Sequence, residues 1–360
     1  IYCNNNNIPI ATRGRGTGNT GGSVPTKNSI VLSLEKMQNI VKIDIANRLA
    51  IVEPGVINKH LQDSLANHNF FWGPDPSSLE YSTIGGNLAN NSAGPRAIKY
   101  GTPRDNVLGL EFISGSGEIH RTGVKTSKGV VGLDLTRLFV GSEGILGILT
   151  EATLKITPKS NYIKTIEITF NNIESASKTI ISLMTQPVIP YKLEFIDEQS
   201  IKLINTIKNN HYDEKTKAAI LLELDGEEEL IQIITDKVIN IIKKNKYKSI
   251  NIADNEKEIK KLWEARKSLS PALREIGGYK INEDVAVPIS NLTILLNKLK
   301  EISNKYNIKI VNFGHAGNGN IHVNLLFDTE EERNSDNARK CLEEIFDLVI
   351  KLEGTISGEH

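Results

Sequence analysis

Apolar and polar residues alternate along this chain in two rhythms, and the change between them comes near Pro158. Before it, short runs of period two dominate. "SIVLSL", "IVKIDIANRLAIVEPG", "GLEFISGSGEIHRT" and "GILTEATLKITPK" read as strands. The second and third carry turn residues at their centres, Asn47-Arg48 and Gly115-Ser116-Gly117, and so read as hairpins. Only short helices fit here, one over residues 58–67 and another around 133–140. Beyond Pro158 half-buried strands ("YIKTIEITF", "YKLEFI", "KAAILLEL", "KINEDVAVP", "IKIVNF", "NIHVNLLF") alternate with longer helical patterns. These are "ESASKTIISLMT", "ELIQIITDKVINIIKKNK", "NLTILLNKLKEISNKY" and "NARKCLEEIFDLVIKL". The pattern predicts a sheet covered by helices on one side. The fold class is α+β, with domains expected at residues 1–158 and 159–360.

Three glycine-rich runs interrupt the first part. "RGRGTGNTGG" spans Arg13 to Gly22, "PDPSSLEYSTIGGNLANNSAGPRAIKYG" spans Pro74 to Gly101, and "GSEGILGI" spans Gly141 to Ile148. The first contains G-x-G-x-x-G at residues 16–21, the fingerprint of dinucleotide-binding βαβ units. That fingerprint requires a helix directly after the glycines. Here the chain continues "SVPTKN" into a strand, and no Gly-Lys-Ser/Thr follows to make a phosphate-binding loop of the Walker type. What remains is a loop between strands whose backbone N–H groups form an anion nest. One such loop would read as a tight turn. Three in one domain favour a large ligand threaded along the backbone.

Two polar constellations lie in the second part. In "FGHAGNGNIHVNLLF", Ile321, Val323 and Leu325 face one way, while His322 and Asn324 share the other face. A glycine-rich turn can fold His315 back beside His322. Either histidine alone reads as an ordinary hydrogen-bonded residue. With Glu359 of the terminal "GEH" they form a His-His-Glu set that leaves coordination positions open, as catalytic zinc sites do. In "LWEARKSLSPALREIGGYKINEDVAVP", Arg266 and Ser270 are four apart on a helix that Pro271 bends or ends. Lys280 and Asn282 alternate along the strand after it. Taken alone, that set reads as a solvated surface.

Bulk properties narrow the partners. The 360 residues carry 43 basic and 43 acidic side chains, so no global charge draws the chain to nucleic acid or an anionic membrane. No apolar run reaches spanning length. The two cysteines, Cys3 and Cys341, make no pair motif; they suit a reducing cytoplasm and cannot ligate an iron–sulfur cluster alone. The expected location is the cytoplasm, with peripheral association at the inner face of a membrane left open. The abrupt ends, Ile1 and "SGEH", read as those of a piece of a longer protein.

The motifs also resemble a known family. "PIATRGRGTGNTGG", "PDPSS…STIGGNLANNSAGPRAIKYG" and "LFVGSEGILGILTEATLKI" are similar to the FAD-binding domain of the vanillyl-alcohol oxidase/p-cresol methylhydroxylase superfamily. Within it, the match is to the D-lactate dehydrogenase and glycolate oxidase flavoprotein-subunit branch, over essentially the whole chain. The resemblance implies a PCMH-type FAD-binding domain without its first part, then an α/β ferredoxin-like substrate (cap) domain without its last. It implies that Arg13, Gly14, Gly16, Thr17, Gly18, Asn19, Thr20, Gly21 and Gly22 wrap the FAD pyrophosphate. From the second run it implies cofactor contacts by Pro74, Asp75, Ser78, Thr83, Gly85 and Gly86. Asn87, Asn90, Ser92, Gly94, Tyr100 and Gly101 extend that set, and Glu143, Gly144, Gly147 and Ile148 supply the third run's share. Some members attach flavin through a histidine in the first loop. None lies between Ile8 and Pro25, so FAD is expected to be non-covalent.

The same resemblance implies a divalent metal (zinc, manganese or iron) on His315, His322 and Glu359. It makes Arg266 the binder of the substrate carboxylate, with Ser270, Lys280 and Asn324 completing the pocket and His360 as the base. Family members often carry Asp where Asn318 stands, beside the metal positions and not among them. The implied reaction oxidises a D-2-hydroxy acid, D-lactate or glycolate, to the 2-oxo acid, with hydride passing to flavin N5. Electrons then leave to an iron–sulfur subunit, a quinone, a cytochrome or an electron-transfer flavoprotein. Other substrates, such as D-2-hydroxyglutarate or an ether-lipid precursor, stay open, as does a flavin carrier without catalysis. A metal hydrolase built on the His-His-Glu set would leave the three glycine runs unexplained.

Overall fold

The computed structural model describes residues 1–126, 128–208, 211–253, 255–276 and 278–357. The chain divides into two compact units, one comprising Ile1–Lys159 and the other beginning at Ser160. Among the described residues, no helix is long and apolar enough to cross a membrane.

The first unit contains strands β1 (Ile10–Arg13), β2 (Ile30–Ser33), β3 (Ile40–Asp44), β4 (Leu49–Val52) and β5 (Phe70–Trp72). Strands β6 (Val107–Ile113), β7 (Ile119–Gly123) and β8 (Ile148–Pro158) follow. Its helices are α1 (Tyr2–Asn5), α2 (Asn58–Ala66), α3 (Ile84–Asn90), α4 (Ala97–Tyr100) and α5 (Leu135–Phe139). The long strand β8 is the spine, flanked antiparallel by β4 and β6; β3 and β7 extend these as hairpins, and β5 pairs with its far end. The hairpins turn where the sequence predicts, at Arg48 (φ 52°) and Gly117 (φ 86°). Trp72, Leu61, Leu65, Ile84, Leu88 and Leu154, none of them exposed, centre the core. β1 and β2 form a separate parallel pair. Their connection is the first glycine-rich loop with no helix in it, so the dinucleotide-fold reading is excluded by structure as well as by sequence.

The second glycine-rich run is not the loop its composition suggests, because α3 and α4 lie within it. Two glycines in α3 each weigh against a helix by about 1 kcal/mol. Tertiary packing overrides them: Thr83 caps the helix by accepting from Gly86 N at 3.2 Å, and Ile84 and Leu88, one turn apart, are fully buried.

The second unit is one antiparallel sheet of β9 (Tyr162–Phe170), β10 (Lys192–Asp197), β11 (Ala218–Gly226), β12 (Ser249–Ala253), β13 (Tyr279–Ala286), β14 (Lys309–Gly314) and β15 (Asn320–Phe327). The order is β12-β9-β11-β10-β14-β15-β13. Its helices are α6 (Ile173–Met184), α7 (Glu198–Ile207), α8 (Glu228–Lys243), α9 (Glu256–Lys267), α10 (Leu269–Ile276), α11 (Leu292–Tyr306), α12 (Glu330–Arg333) and α13 (Asp336–Lys351). The expected one-sided cover is wrong, since helices pack on both faces. Ile196, Ala219 and Phe313 share one face by register and pack with Ile201 and Ile204 of α7 and Leu269 and Leu273 of α10. On that same face α9 contributes Leu262, beside Leu221. Helices α6, α8 and α11 meet β9, β11 and β14 from the other side, with α13 against α11. The sequence marks a helix through Arg266 but hides that it covers the sheet, because its apolar stripe is thin among the charges of "EKEIKKLWEARK".

Asp197 joins these layers at the end of β10. It accepts from Ser200 N at 2.7 Å, capping α7, and from Asn312 N and Nδ2, both at 2.9 Å. Burial pushes its carboxyl up to about 6, and the hydrogen bonds from Ser200 and Asn312 oppose this only in part. With the folded pKa above the unfolded one, the proton favours the fold. The contribution is complete below about pH 4 and is lost as pH rises through 6. We therefore expect Asp197→Asn to lack a loss of unfolding free energy, on the order of 3 kcal/mol, that the parent undergoes between pH 4 and pH 7. Denaturant melts of both proteins across that range check it, and parallel pH profiles would rule it out.

Candidate functional site

The three glycine-rich runs, far apart in sequence, meet in the first unit. An added Cβ at Gly14 would lie 2.2 Å from Thr83 Oγ1, and one at Gly18 would lie 2.7 Å from Asn90 Nδ2. A Cβ on Gly22 would sit 3.5 Å from the Glu143 carbonyl oxygen. The third run hangs on α3, with Gly141 N donating to Leu88 O at 2.9 Å and Glu143 N to Ala89 O at 2.8 Å. Arg13 staples the first loop shut: its Nε and Nη2 donate to the Ser23 carbonyl at 3.1 and 2.8 Å.

Arg15 to Gly22, with Thr17, Asn19 and Thr20 among them, is exposed. Among the described residues, no backbone N–H of that stretch finds a backbone acceptor. Gly16, Gly21 and Gly144 hold φ of 66°, 86° and 80°, and nothing lies within 4 Å of a Cβ added at Gly21 or Gly144. Backbone amides with left-handed glycines between them make a cradle for a pyrophosphate, and these residues fit an FAD.

Other residues of the second run shape it. Asn87 is buried, accepting from Asn58 Nδ2 at 2.9 Å and donating to Ser82 Oγ at 3.1 Å. Asp75 accepts from Arg96 N at 2.9 Å and pairs with its Nε at 3.1 Å, and the Pro74 carbonyl lies 3.4 Å from Gln62 Nε2. Gly94 passes Asp75 so closely that a Cβ would meet its carbonyl oxygen at 2.3 Å; Gly85 abuts Pro54, Gly101 abuts Asp105 and Gly147 abuts Phe112. Ser78 carries the carbonyl that holds the Tyr81 and Ser82 amides, Ser92 N bonds Asn87 O, and Tyr100 meets Phe71 edge to face. Ile148 opens β8.

The second unit gathers the remaining candidates on one face, toward the β13 edge of its sheet. Register sets Asn324 between Asn282 and Val311, and His322 between Asp284 and Phe313. A 3₁₀ turn at Ala316–Asn318, closed by Gly319 (φ 74°), returns His315 beside His322. Their ring centroids are 5.1 Å apart and the planes are nearly perpendicular, at 86°.

Each imidazole is held through Nδ1 by a buried carboxylate, His315 on Glu194 Oε1 at 2.5 Å and His322 on Asp284 Oδ1 at 2.6 Å. The other oxygen of Glu194 takes Arg266, with Nε at 2.9 Å and Nη2 at 2.7 Å. Burial pushes the Glu194 carboxyl upward, but the charges of His315 and Arg266 outweigh it and hold the group well below the usual carboxylate range. An ionised Glu194 only accepts, so His315 carries a hydrogen on Nδ1, and in the neutral ring the lone pair is then on Nε2. The Arg266 guanidinium lies 4.5 Å from the Phe313 ring centroid, and its helix is pinned a second time where Trp263 Nε1 donates to Glu223 at 2.5 Å.

Arg266 is buried on α9 and Ser270 is exposed on α10, so the two sit on successive helices. Pro271 falls in the first turn of α10, where its missing N–H leaves no bond unmade. Lys280 is half-buried on β13 across from Leu326. Asn324 is 1% exposed; its Nδ2 donates to Val311 O at 3.2 Å, and its Oδ1 has no hydrogen-bond partner among the described residues. Glu359 and His360 lie outside the described residues. Among those described, no group of three histidines, cysteines or carboxylates is arranged to hold a metal. What fits a cation is narrower, namely two adjacent imidazoles whose Nδ1 atoms are anchored to carboxylates, as in metal-ligating histidines. Sequence reasoning missed Glu194 and Asp284. The signal was available: each acid stands in an alternating strand at a position that points to the same face as His322.

A family model described as "FAD linked oxidases, C-terminal domain" matches residues 159–360, and one described as "FAD binding domain" matches residues 1–123. Glycolate oxidase subunit GlcD of Bacillus subtilis (strain 168) is 40% identical over 358 residues, 99% of this chain and 76% of that protein. D-lactate dehydrogenase of Archaeoglobus fulgidus is 33% identical over 365 residues, 100% of this chain and 78% of that one. Among solved structures, p-cresol methylhydroxylase with substrate bound superposes with a TM-score of 0.79 at 18% identity, covering 98% of this chain and 77% of that one, a likeness of fold.

The packing of Gly14 on Thr83 yields a prediction. Gly14→Ala displaces the hydroxyl that caps α3, at about 1 kcal/mol for the cap alone, and loosens two glycine runs together. Purified Gly14→Ala protein should hold less FAD than the parent at equal protein concentration, read from the ratio of flavin to protein absorbance. An unchanged ratio would mean that this contact does not shape the cradle.

Proposed function

The chain belongs to the FAD-linked oxidases of the glycolate oxidase subunit GlcD and D-lactate dehydrogenase family, and on that premise we propose that it oxidises a short D-2-hydroxy acid to the 2-oxo acid. The observation that carries this reading is Glu194 holding Arg266 with one oxygen and His315 with the other. A 2-hydroxy acid presents a carboxylate and a hydroxyl on adjacent carbons. It therefore needs an anion-binding group and a hydroxyl-binding group a few ångströms apart. With its Nε edge committed to Glu194, the guanidinium meets the substrate carboxylate end-on through its Nη atoms. Lys280, Ser270 and the Asn324 amide oxygen complete the polar lining in this reading. Glycolate and D-lactate are the substrates that the relatives' names support, and both are short enough to need no further anchoring group.

A divalent cation on Nε2 of His315 and His322, with Glu359 as third ligand, would supply Lewis acidity at the 2-hydroxyl. Bound FAD supplies the hydride acceptor. His360 takes the hydroxyl proton in this scheme, an imidazole being suited to that task near neutral pH. Electrons then pass to a separate accepting chain, a reading supported by the description of the B. subtilis relative as a subunit.

Anaerobic addition of D-lactate or glycolate to the FAD-loaded protein should bleach the flavin, and L-lactate should not. Bleaching by both lactates, or by neither lactate nor glycolate, would remove the proposal. Arg266→Lys should raise KM on the order of 10- to 100-fold, because an ammonium replaces a charge-assisted fork worth about 1.5–3 kcal/mol. Steady-state kinetics check it, and an unchanged KM takes Arg266 out of the pocket.

A further inference from the structure

We propose that Glu194 is a positioning residue that sets the tautomer of His315 and the pose of Arg266 with one carboxylate, so that the groups meeting the substrate's hydroxyl and carboxylate are held as one unit. The inference rests on the 2-hydroxy-acid reading and adds to it a residue that touches neither substrate nor cofactor. Three observations support it. Glu194 is 1% exposed, so bulk water does not compete for its oxygens. Its two oxygens divide the work, Oε1 to His315 Nδ1 and Oε2 to Arg266 Nε and Nη2. The partners come from separate elements, His315 from the turn after β14 and Arg266 from the last turn of α9, and β10 lies beside β14 in the sheet. One side chain on a rigid strand thus fixes two functional side chains that the chain brings from distant positions.

The chemistry differs at the two oxygens, and this makes the role separable. Glutamine at position 194 keeps one acceptor, which the guanidinium retains, and turns an NH₂ toward His315. The imidazole must then accept at Nδ1, which moves its hydrogen to Nε2 and removes the lone pair a cation needs. Aspartate keeps the charge but is one methylene too short to reach both partners. Asp284 and His322 are untouched by either change.

The test uses the FAD-loaded protein and two readouts besides turnover. Zinc retention against a competing chelator reports His315. Propionate, a carboxylate without a 2-hydroxyl, reports Arg266 through its perturbation of the flavin spectrum. Glu194→Gln should weaken zinc about 10- to 100-fold while the propionate dissociation constant changes less than about threefold. Glu194→Asp should weaken both by more than about threefold. In each variant an unchanged circular-dichroism spectrum and melting temperature establish that the fold stands, and the flavin-to-protein absorbance ratio reports FAD retention. If Glu194→Gln keeps the parent's zinc affinity while His315→Ala loses it, the positioning role is wrong and the metal reading survives. If His315→Ala also keeps it, the metal reading falls and takes this inference with it. Equal losses of zinc, propionate and FAD in Glu194→Gln would mark a merely structural residue and overturn the proposal.

Discussion

A carboxylate shut off from bulk water must have both oxygens answered by protein, and Glu194 has them answered by two donors of different kinds, an imidazole and a guanidinium. Removing one partner from such a buried pair typically costs about 3–5 kcal/mol, because the remaining charge is left uncompensated. Most of what the second unit needs to build a polar site follows from that constraint. Arg266 is drawn inward against Phe313 instead of reaching into solvent. α9 is thereby fixed over β10, with Trp263 on Glu223 as a second pin one turn earlier. His315 is turned so that Nδ1 faces the acid, and His322 is matched to it through Asp284.

The first unit solves a different problem by different means. An extended anion with flat ends has to lie along backbone, and side chains would stand in the way. Glycine at 14 and 18 lets the first loop lie against Thr83 and Asn90, and left-handed glycines at 16 and 21 re-aim the amides between them. The same spacing on a βαβ unit would direct a phosphate to a helix N-terminus. Here β1 passes to the parallel strand β2 without a helix, so no helix N-terminus stands behind the loop and only its own amides are on offer.

How far the sequence revealed this depends on what each residue type can do alone. Glycine has few reasons to recur, so three dense runs announced a backbone-lined cradle, and G-x-G-x-x-G was disqualified by the strand after it. Alternation placed His322 and Asn324 on one face, and the turn from Gly314 to Gly319 made the return of His315 foreseeable. α3 was not legible, because its two glycines argue against a helix that only the Thr83 cap and buried Ile84 and Leu88 sustain. The helix bearing Arg266 was legible, but its place in a second layer on the sheet was not, since α9 shows the sheet little more than Leu262, Ala265 and Arg266. Glu194 and Asp284 stayed hidden for a related reason. An acid in an alternating strand looks like a solvent-facing residue until the register shows what stands opposite it.

In the proposed reaction the substrate is recognised by its carboxylate and its neighbouring hydroxyl together. Comparing D-lactate with D-lactamide isolates the carboxylate, because the amide keeps the hydroxyl, the chirality and nearly the same shape while losing the charge. Anaerobic flavin-reduction rates should give a kcat/KM for the amide lower by at least about 100-fold, the worth of a charge-assisted hydrogen-bond pair. Equal kcat/KM values for the two would contradict the role given to Arg266, and with it the claim that Glu194 organises the site.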